Sequence, residues 1–297
     1  MYFEISHLHL EEAFLTTTSL PFGLQARAGY MNAAFGRQNP RHVHTWNFVN
    51  PPLSHTRFMG EEHFSGLGAE TSVLFPLPWF LTVGLQAFDT KPKAHLRTAS
   101  FGTSDYTKTG KFDGPEDCVY IGRIKNFFAL SHDWSLNIGL SAAIGHSPFS
   151  PDGRSEVFGS DIYLKWRPIS SGRDAVAVAL TLEYIGRRAQ IPSDVLLDHG
   201  GYAQVDVQSS RQWMFGLRGG YTGLLEPVDG SVLELDDQQW RTGFSVTHMP
   251  THFSRVRMQY DLGNFTPSGV GTGNNEIYHA VFFQVEVGIG KHAAHSF

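Results

Sequence analysis

The chain has 297 residues, 41% hydrophobic and 17% charged, with a formal net charge of -5. It holds no run of about 20 apolar residues, which excludes a spanning helix, and the mild negative charge argues against nucleic acid as a partner. Its single cysteine, Cys118, leaves no intramolecular disulfide to form.

The opening residues MYFEISHLHLEE lack a basic n-region, an apolar h-region and a small-residue cleavage site. In the first segment, 7–19, Glu12 shares its face with Leu8, Leu10 and Phe14, which breaks the alternation seen later. From there the pattern has a period of two, the mark of strands. Leu24, Ala26, Ala28 and Tyr30 oppose Gln25, Arg27 and Gly29. Leu67, Ala69, Val73 and Phe75 oppose Gly68, Glu70 and Ser72, and Leu81, Val83, Leu85 and Ala87 oppose Thr82, Gly84 and Gln86. Tyr120, Gly122, Ile124 and Phe128 oppose Arg123 and Lys125.

The later segments are cleaner. Leu136, Ile138, Leu140, Ala142 and Ile144 oppose Asn137, Gly139 and Ser141. Phe158, Ile162, Leu164 and Trp166 oppose Asp161, Tyr163 and Lys165, and Val178, Leu180, Leu182 and Tyr184 oppose Thr181 and Glu183. Val205 and Val207 oppose Gln204 and Asp206, while Trp213, Phe215, Leu217 and Tyr221 oppose Gly216 and Arg218. Trp240, Phe244 and Val246 oppose Arg241 and Ser245, Val256, Met258 and Tyr260 oppose Arg257 and Gln259, and Val281, Phe283, Val285 and Val287 oppose Gln284 and Glu286.

One face is thus apolar and the other rich in charge and glycine. A soluble core would not take in so many charges, although a two-sheet sandwich with one wet face per sheet is the competing reading. Aromatic residues mark segment ends, as interfacial girdles do: Trp79, Phe80, Trp134, Trp166, Trp213, Trp240 and Phe253. Connections alternate between short (20–22, 76–78, 131–133, 169–174, 209–212, 250–253) and long (36–65, 89–117, 146–155, 188–200, 222–237, 263–276). This predicts an all-β fold, a single antiparallel transmembrane β-barrel domain over 1–297, with its apolar face toward lipid. About 13 strands are countable, and both the first and last run toward the short-turn side. Single-chain barrels have even strand numbers. The expectation is therefore an N-terminally incomplete barrel, 13 strands of 16, whose signal peptide and first strands are missing.

EEAFLTTTSLP, LQARAGYMNAAFGRQNPRHVHTWNFV, PLSHTRFMGEE, SVLFPLPW, DWSLNIGLSA, SDIYLKWRP, DVLLDHGGYAQ, PTHFSRVRMQY and GKHAAHSF resemble a group of proteobacterial outer-membrane proteins. Its members are often named zinc-regulated TonB-dependent outer membrane receptors. The resemblance implies localisation in the outer membrane of a Gram-negative bacterium, with lipid and the barrel assembly machinery as partners. It also implies a small solute or metal ion as ligand. Members usually carry further N-terminal strands and a His-rich leader. The chain has no plug domain, which argues against energised uptake. Phe297 resembles the C-terminal aromatic that the assembly machinery recognises.

Two sets of residues are candidates for function. His42 and His44, two apart in Arg41-His42-Val43-His44, could join Glu61, Glu62 or His63 in a zinc site, because imidazole and carboxylate suit borderline metals. His7 and His9 share that spacing. A long loop folded into a barrel would narrow it, and its charges would set selectivity. The candidates there are Arg37, Arg41 and Arg57 of the loop, with Arg123, Lys125, Asp161, Lys165, Glu183, Arg218, Arg241, Arg257 and Glu286 of the polar strand faces. G-x-S-x-G, P-loop and H-E-x-x-H signatures are absent, so no enzyme is expected. The function expected is an outer-membrane channel or receptor for a small solute, with zinc or a metal chelate as candidate. A surface barrel that only displays binding loops is the alternative.

Overall fold

The computed structural model describes residues 11–61, 63–89, 118–147, 153–168, 176–191, 194–225, 238–251, 253–265 and 276–288. The expectations for His7, His9, Glu62 and Phe297 fall outside them. Thirteen strands follow in order: β1 (Ala13–Thr16), β2 (Leu24–Asn32), β3 (Ser65–Pro76), β4 (Phe80–Asp89), β5 (Cys118–Ala129), β6 (Trp134–His146), β7 (Arg154–Trp166), β8 (Ala177–Ile191), β9 (Asp194–Gln208), β10 (Trp213–Leu224), β11 (Gln238–Thr251), β12 (Ser254–Phe265) and β13 (Glu276–Val287). They form one sheet in chain order. Each strand pairs antiparallel with the next, as in Leu140↔Ser160 and Leu217↔Phe244. Among the described residues β1 and β13 do not pair with each other. Among the described residues a single α-helix, α1 (Leu53–Met59), lies between β2 and β3. No described helix is long and apolar enough to cross a membrane.

The period of two becomes two faces of opposite character. Leu140 and Leu217 are each 55% exposed, and Val281 and Phe283 about 70%. On the other face Arg257, Asp161, Arg218 and Glu183 are all 5% exposed or less. Burial is inverted relative to a water-soluble protein, in which charges this deeply buried are rare. The soluble-sandwich reading fails here, since no second sheet covers the apolar face among the described residues.

The sheet is curled around its polar face. His42 bonds to Glu11 and Glu12, next to β1, while the Trp46 carbonyl accepts from Arg257 of β12. A flat sheet would separate those strands by about 53 Å, at about 4.8 Å per strand. Four residues of chain reach at most about 14 Å, and side chains do not supply the difference. Curling puts 33–64 on the concave side.

Aromatic pairs edge the sheet at the short-turn end. On the outer face Trp79 stacks on Phe128 and Trp134 meets Trp166, while Phe80, expected in the outer girdle, meets Phe127 on the inward parity, in register with Asn137. Tyrosines mark the other end, with His199 between Tyr184 and Tyr221, and Tyr260 beside His279. From Trp213 to Tyr221 the strand rises about 27 Å, or about 21 Å along the axis if tilted by about 40°. That matches the apolar band of a membrane barrel, about 25 Å tall.

Two local expectations are corrected. Within the long connection expected at 188–200, residues 188–191 and 194–200 are strand: β8 and β9 continue their ladder to Ile191↔Asp194. Asp198 of that stretch and the facing Arg187 point inward and form a buried ion pair that sustains the ladder beyond the apolar stretch. The segment at 7–19 is strand only over Ala13–Thr16 among the described residues. There Phe14 lies under the Arg27 guanidinium, on the concave side, and Leu15 is exposed outside. Glu12, two residues before Phe14, therefore belongs to the polar face.

In lipid bilayers, spin labels at 140 and 217 should be quenched by lipid-soluble reagents, and labels at 137 and 218 should not. The reverse ranking would overturn the assignment of faces.

Candidate functional site

The concave side is occupied by residues 33–64. Chain polarity explains why the segment can sit there. A buried irregular backbone must find a partner for each N–H and C=O, and the inward side chains supply them. Arg123 of β5 donates to the Gly36 carbonyl. Arg218 of β10 donates to the Asn50 carbonyl at 2.9 Å, Arg241 of β11 to that of Pro51, and Arg257 of β12 to that of Trp46 at 2.7 Å. Acceptors serve the N–H groups in the same way. Gln86 of β4 accepts from Ala34 at 2.8 Å, and Gln259 of β12 from Val49 at 2.6 Å. Glu183 of β8 takes the Arg37 and Gln38 N–H groups at 3.1 and 3.2 Å and the Tyr202 hydroxyl at 3.0 Å.

Small residues in the segment and in the wall make the approach close enough. Gly36 has φ 60, a conformation side chains resist, and a Cβ there would lie 1.8 Å from a Glu183 oxygen. The Phe35 ring lies where Gly159 would carry a side chain, and the Phe48 ring where Gly216 would. Toward the long-loop end the interior turns apolar. Phe35, Phe58, Met59 and Phe64 pack with Met31, Phe88, Val119, Ile121 and Ile185 from the strands. The result is an apolar layer above a charged band.

The site residues expected from sequence separate into groups. Arg123 also pairs with Asp161 at 3.0 Å. Arg37 stacks its guanidinium 3.4 Å from the centre of the Tyr163 ring. Arg57 and Arg187 share Asp198, each at 2.7 Å. Arg41 donates to the Thr45 carbonyl, and Arg255 pairs with Glu286. Lys125 and Lys165 face inward, half-buried, beside Arg123 and Arg167 respectively. Most of these charges act as struts for the segment. The pattern that revealed their facing gave no sign of Asp198, Tyr163 or Tyr202 as partners: Asp198 and Tyr202 lie opposite Arg187 and Glu183 in a ladder whose register the alternation does not give, and Tyr163 meets Arg37 of the infolded segment.

His42 and His44 do come together, with stacked rings 5.4 Å apart. Glu11 is the carboxylate grouped with them among the described residues, and the three offer ligand atoms within 4.8 Å of one another. His63 lies instead against Trp46 and hydrogen-bonds the Asn39 carbonyl. His42 Nδ1 is 2.9 Å from Glu11, and its Nε2 is 2.9 Å from Glu12. The hydrogen bond to Glu12 and the charges of Glu12 and Glu11 raise its pKa above 6.5, against partial burial. Burial pushes the Glu12 carboxyl up, but His42, the Asn32 N–H and the more distant Arg27 outweigh it and hold the pKa below 4.5. The raised His42 pKa contributes stability that is complete below about 6.5 and is lost as pH rises through its folded value. The depressed Glu12 pKa contributes stability present above about 4.5 and lost as pH falls. In the metal-free protein this contact is strongest between those limits.

No known family profile matches the chain. An uncharacterized protein of Aquifex aeolicus (strain VF5) is 29% identical over an alignment of 307 residues, covering 97% of this chain. The chain spans 63% of that relative's length. Among solved structures, the NanC porin is 13% identical, with a TM-score of 0.36, over 75% of this chain and 93% of the porin.

Two outcomes are expected. Asp198→Ala leaves two guanidinium groups without their shared carboxylate and should cost about 3–5 kcal/mol in denaturant unfolding. It should also speed protease cleavage within 33–64, and wild-type cleavage would contradict the strut role. By NMR in chelator, His42 should titrate above 6.5, and Glu12→Gln should lower its midpoint.

Proposed function

We propose that this protein is an outer-membrane β-barrel that admits or captures a small solute through a polar interior narrowed by residues 33–64. One observation carries the reading: a curled sheet buries its charges and exposes its leucines, valines and phenylalanines. Lipid accounts for such a surface. Water does not, because every outward apolar side chain would lose the benefit of burial. Irregular backbone inside a barrel is tolerated where protein surrounds it, and 33–64 is surrounded by the inward faces of β4 to β12. In this reading the chain is not an enzyme. Ser245 and His248, close in sequence, serve different faces: Ser245 bonds the Asn47 carbonyl inside, and His248 packs on Trp213 outside.

The resemblance to zinc-regulated outer-membrane receptors makes a metal ion or its chelate our candidate solute. A second reading has its own support. The apolar layer formed by Phe35, Phe58, Phe64 and Phe88 is fully buried. A layer so tightly packed suits a barrel that anchors surface loops and conducts nothing.

Planar-bilayer recording separates the two readings. A passage predicts small discrete openings in the wild type and a several-fold larger conductance when 37–60 is replaced by a short glycine–serine linker. Absence of openings in both proteins would dismiss the passage. Leu217→Arg, at the middle of the outer band, should cost about 2–4 kcal/mol of stability in bilayers.

A further inference from the structure

We propose that Glu11, His42 and His44 form a resident site for a borderline divalent cation, of the zinc or nickel type, that fastens the infolded segment to the chain just ahead of β1. The inference stands on these side chains alone and does not depend on whether the barrel conducts.

The donor set fits the chemistry. Two imidazoles and one carboxylate, with a water in the fourth position, make an open tetrahedral site for zinc. The three ligand atoms already lie within 4.8 Å of one another. Ligation at about 2.0–2.2 Å brings tetrahedral ligand atoms to about 3.4 Å apart. Side-chain rotations of about 1 Å close that gap, and none of the three side chains is fully buried. Glu11 and His42 are nearly in place, with Nδ1 and Oε2 2.9 Å apart.

Glu12 supplies the supporting contact. Its carboxylate lies 2.9 Å from His42 Nε2 and is itself held by the Asn32 N–H at 2.7 Å. A carboxylate that accepts from one ring nitrogen fixes the tautomer and turns the other nitrogen toward the metal. Glu12 therefore orients Nδ1 toward the point shared with Glu11 and His44. It is a positioning residue, and His42 is the ligand. The cation would link position 11 to positions 42 and 44, which the sheet places far apart in sequence and side by side in space. It would stabilise the entrance of the 33–64 segment.

The test is calorimetry of the full chain, refolded in detergent and stripped with chelator, titrated with zinc chloride. Heat-modified gel mobility checks that each variant is folded. Wild type should bind a single ion per chain, and cobalt should give the visible absorption of a tetrahedral site. Glu11→Gln should lower zinc affinity about 10- to 100-fold, and the double variant His42→Ala, His44→Ala by more. Glu12→Gln should lower it about 10-fold, while Glu12→Asp restores most of the loss. Glu61→Gln and His63→Ala should bind as wild type does. Zinc should slow hydrogen exchange in 33–64 in wild type and not in the double variant. Absence of zinc binding by wild type, or wild-type affinity in both Glu11→Gln and the double histidine variant, would overturn the site. Loss of affinity on Glu61→Gln or His63→Ala alone would overturn it too. If the double variant fails to fold, Glu11→Gln, a change on an exposed carboxylate, decides by itself. Channel recordings take no part in that decision.

Discussion

The structure turns on hydrogen bonding between an irregular segment and the inside of a sheet. A loop placed in a barrel carries N–H and C=O groups that water no longer reaches, and each unpaired group costs about 1–3 kcal/mol. The wall answers with side chains long enough to meet the loop halfway. Guanidinium groups of Arg123, Arg218, Arg241 and Arg257 take carbonyls, while Gln86, Glu183 and Gln259 take N–H groups. Charged partners make the stronger hydrogen bonds. The outer apolar face and the inner charged face thus have separate causes. Lipid is the proposed cause of the first, and the buried loop accounts for much of the second.

The faces of the strands were legible in the sequence, because a period of two leaves little choice once one face is apolar. Leu140 outside and Asn137 inside follow from that alone, and the strand number follows from counting the repeats. The partners of the inward charges were not legible. Arg257 meets the Trp46 carbonyl 211 positions earlier in the chain, and no local pattern records such a contact. The alternation also failed where the inward face becomes apolar. Ile121, Val157 and Ile185 point inward beneath the loop's phenylalanines, so both faces of those strand ends look alike. The connection at 188–200 was misread for a related reason. Polar residues such as Arg188 and Asp198 suggest a loop, yet the ladder continues and Asp198 is buried in it opposite Arg187.

The histidine cluster shows the same limit. His42 and His44 stand out by their spacing, but the carboxylate that completes the set lies 31 positions before His42. Curling of the sheet brings the chain ahead of β1 to the mouth of the infolded segment. Glu12, anomalous among the apolar residues of the first segment, gains its meaning from that placement. Its carboxylate holds both the Asn32 backbone and the His42 ring. The segment is thus tied at its entrance by ionisable groups, across its middle by arginines, and at the loop end by packed phenylalanines.

Cross-linking of the loop to the wall tests this arrangement most directly. In a Cys118→Ser background, cysteines replace Phe48 and Gly243, whose added Cβ would lie 3.4 Å from the present Phe48 ring. Treatment of the protein refolded in detergent with a short bifunctional thiol reagent should give an intrachain cross-link in high yield, while position 48 resists a bulky external maleimide. Free labelling of position 48 by that maleimide, with no cross-link to 243, would contradict the account.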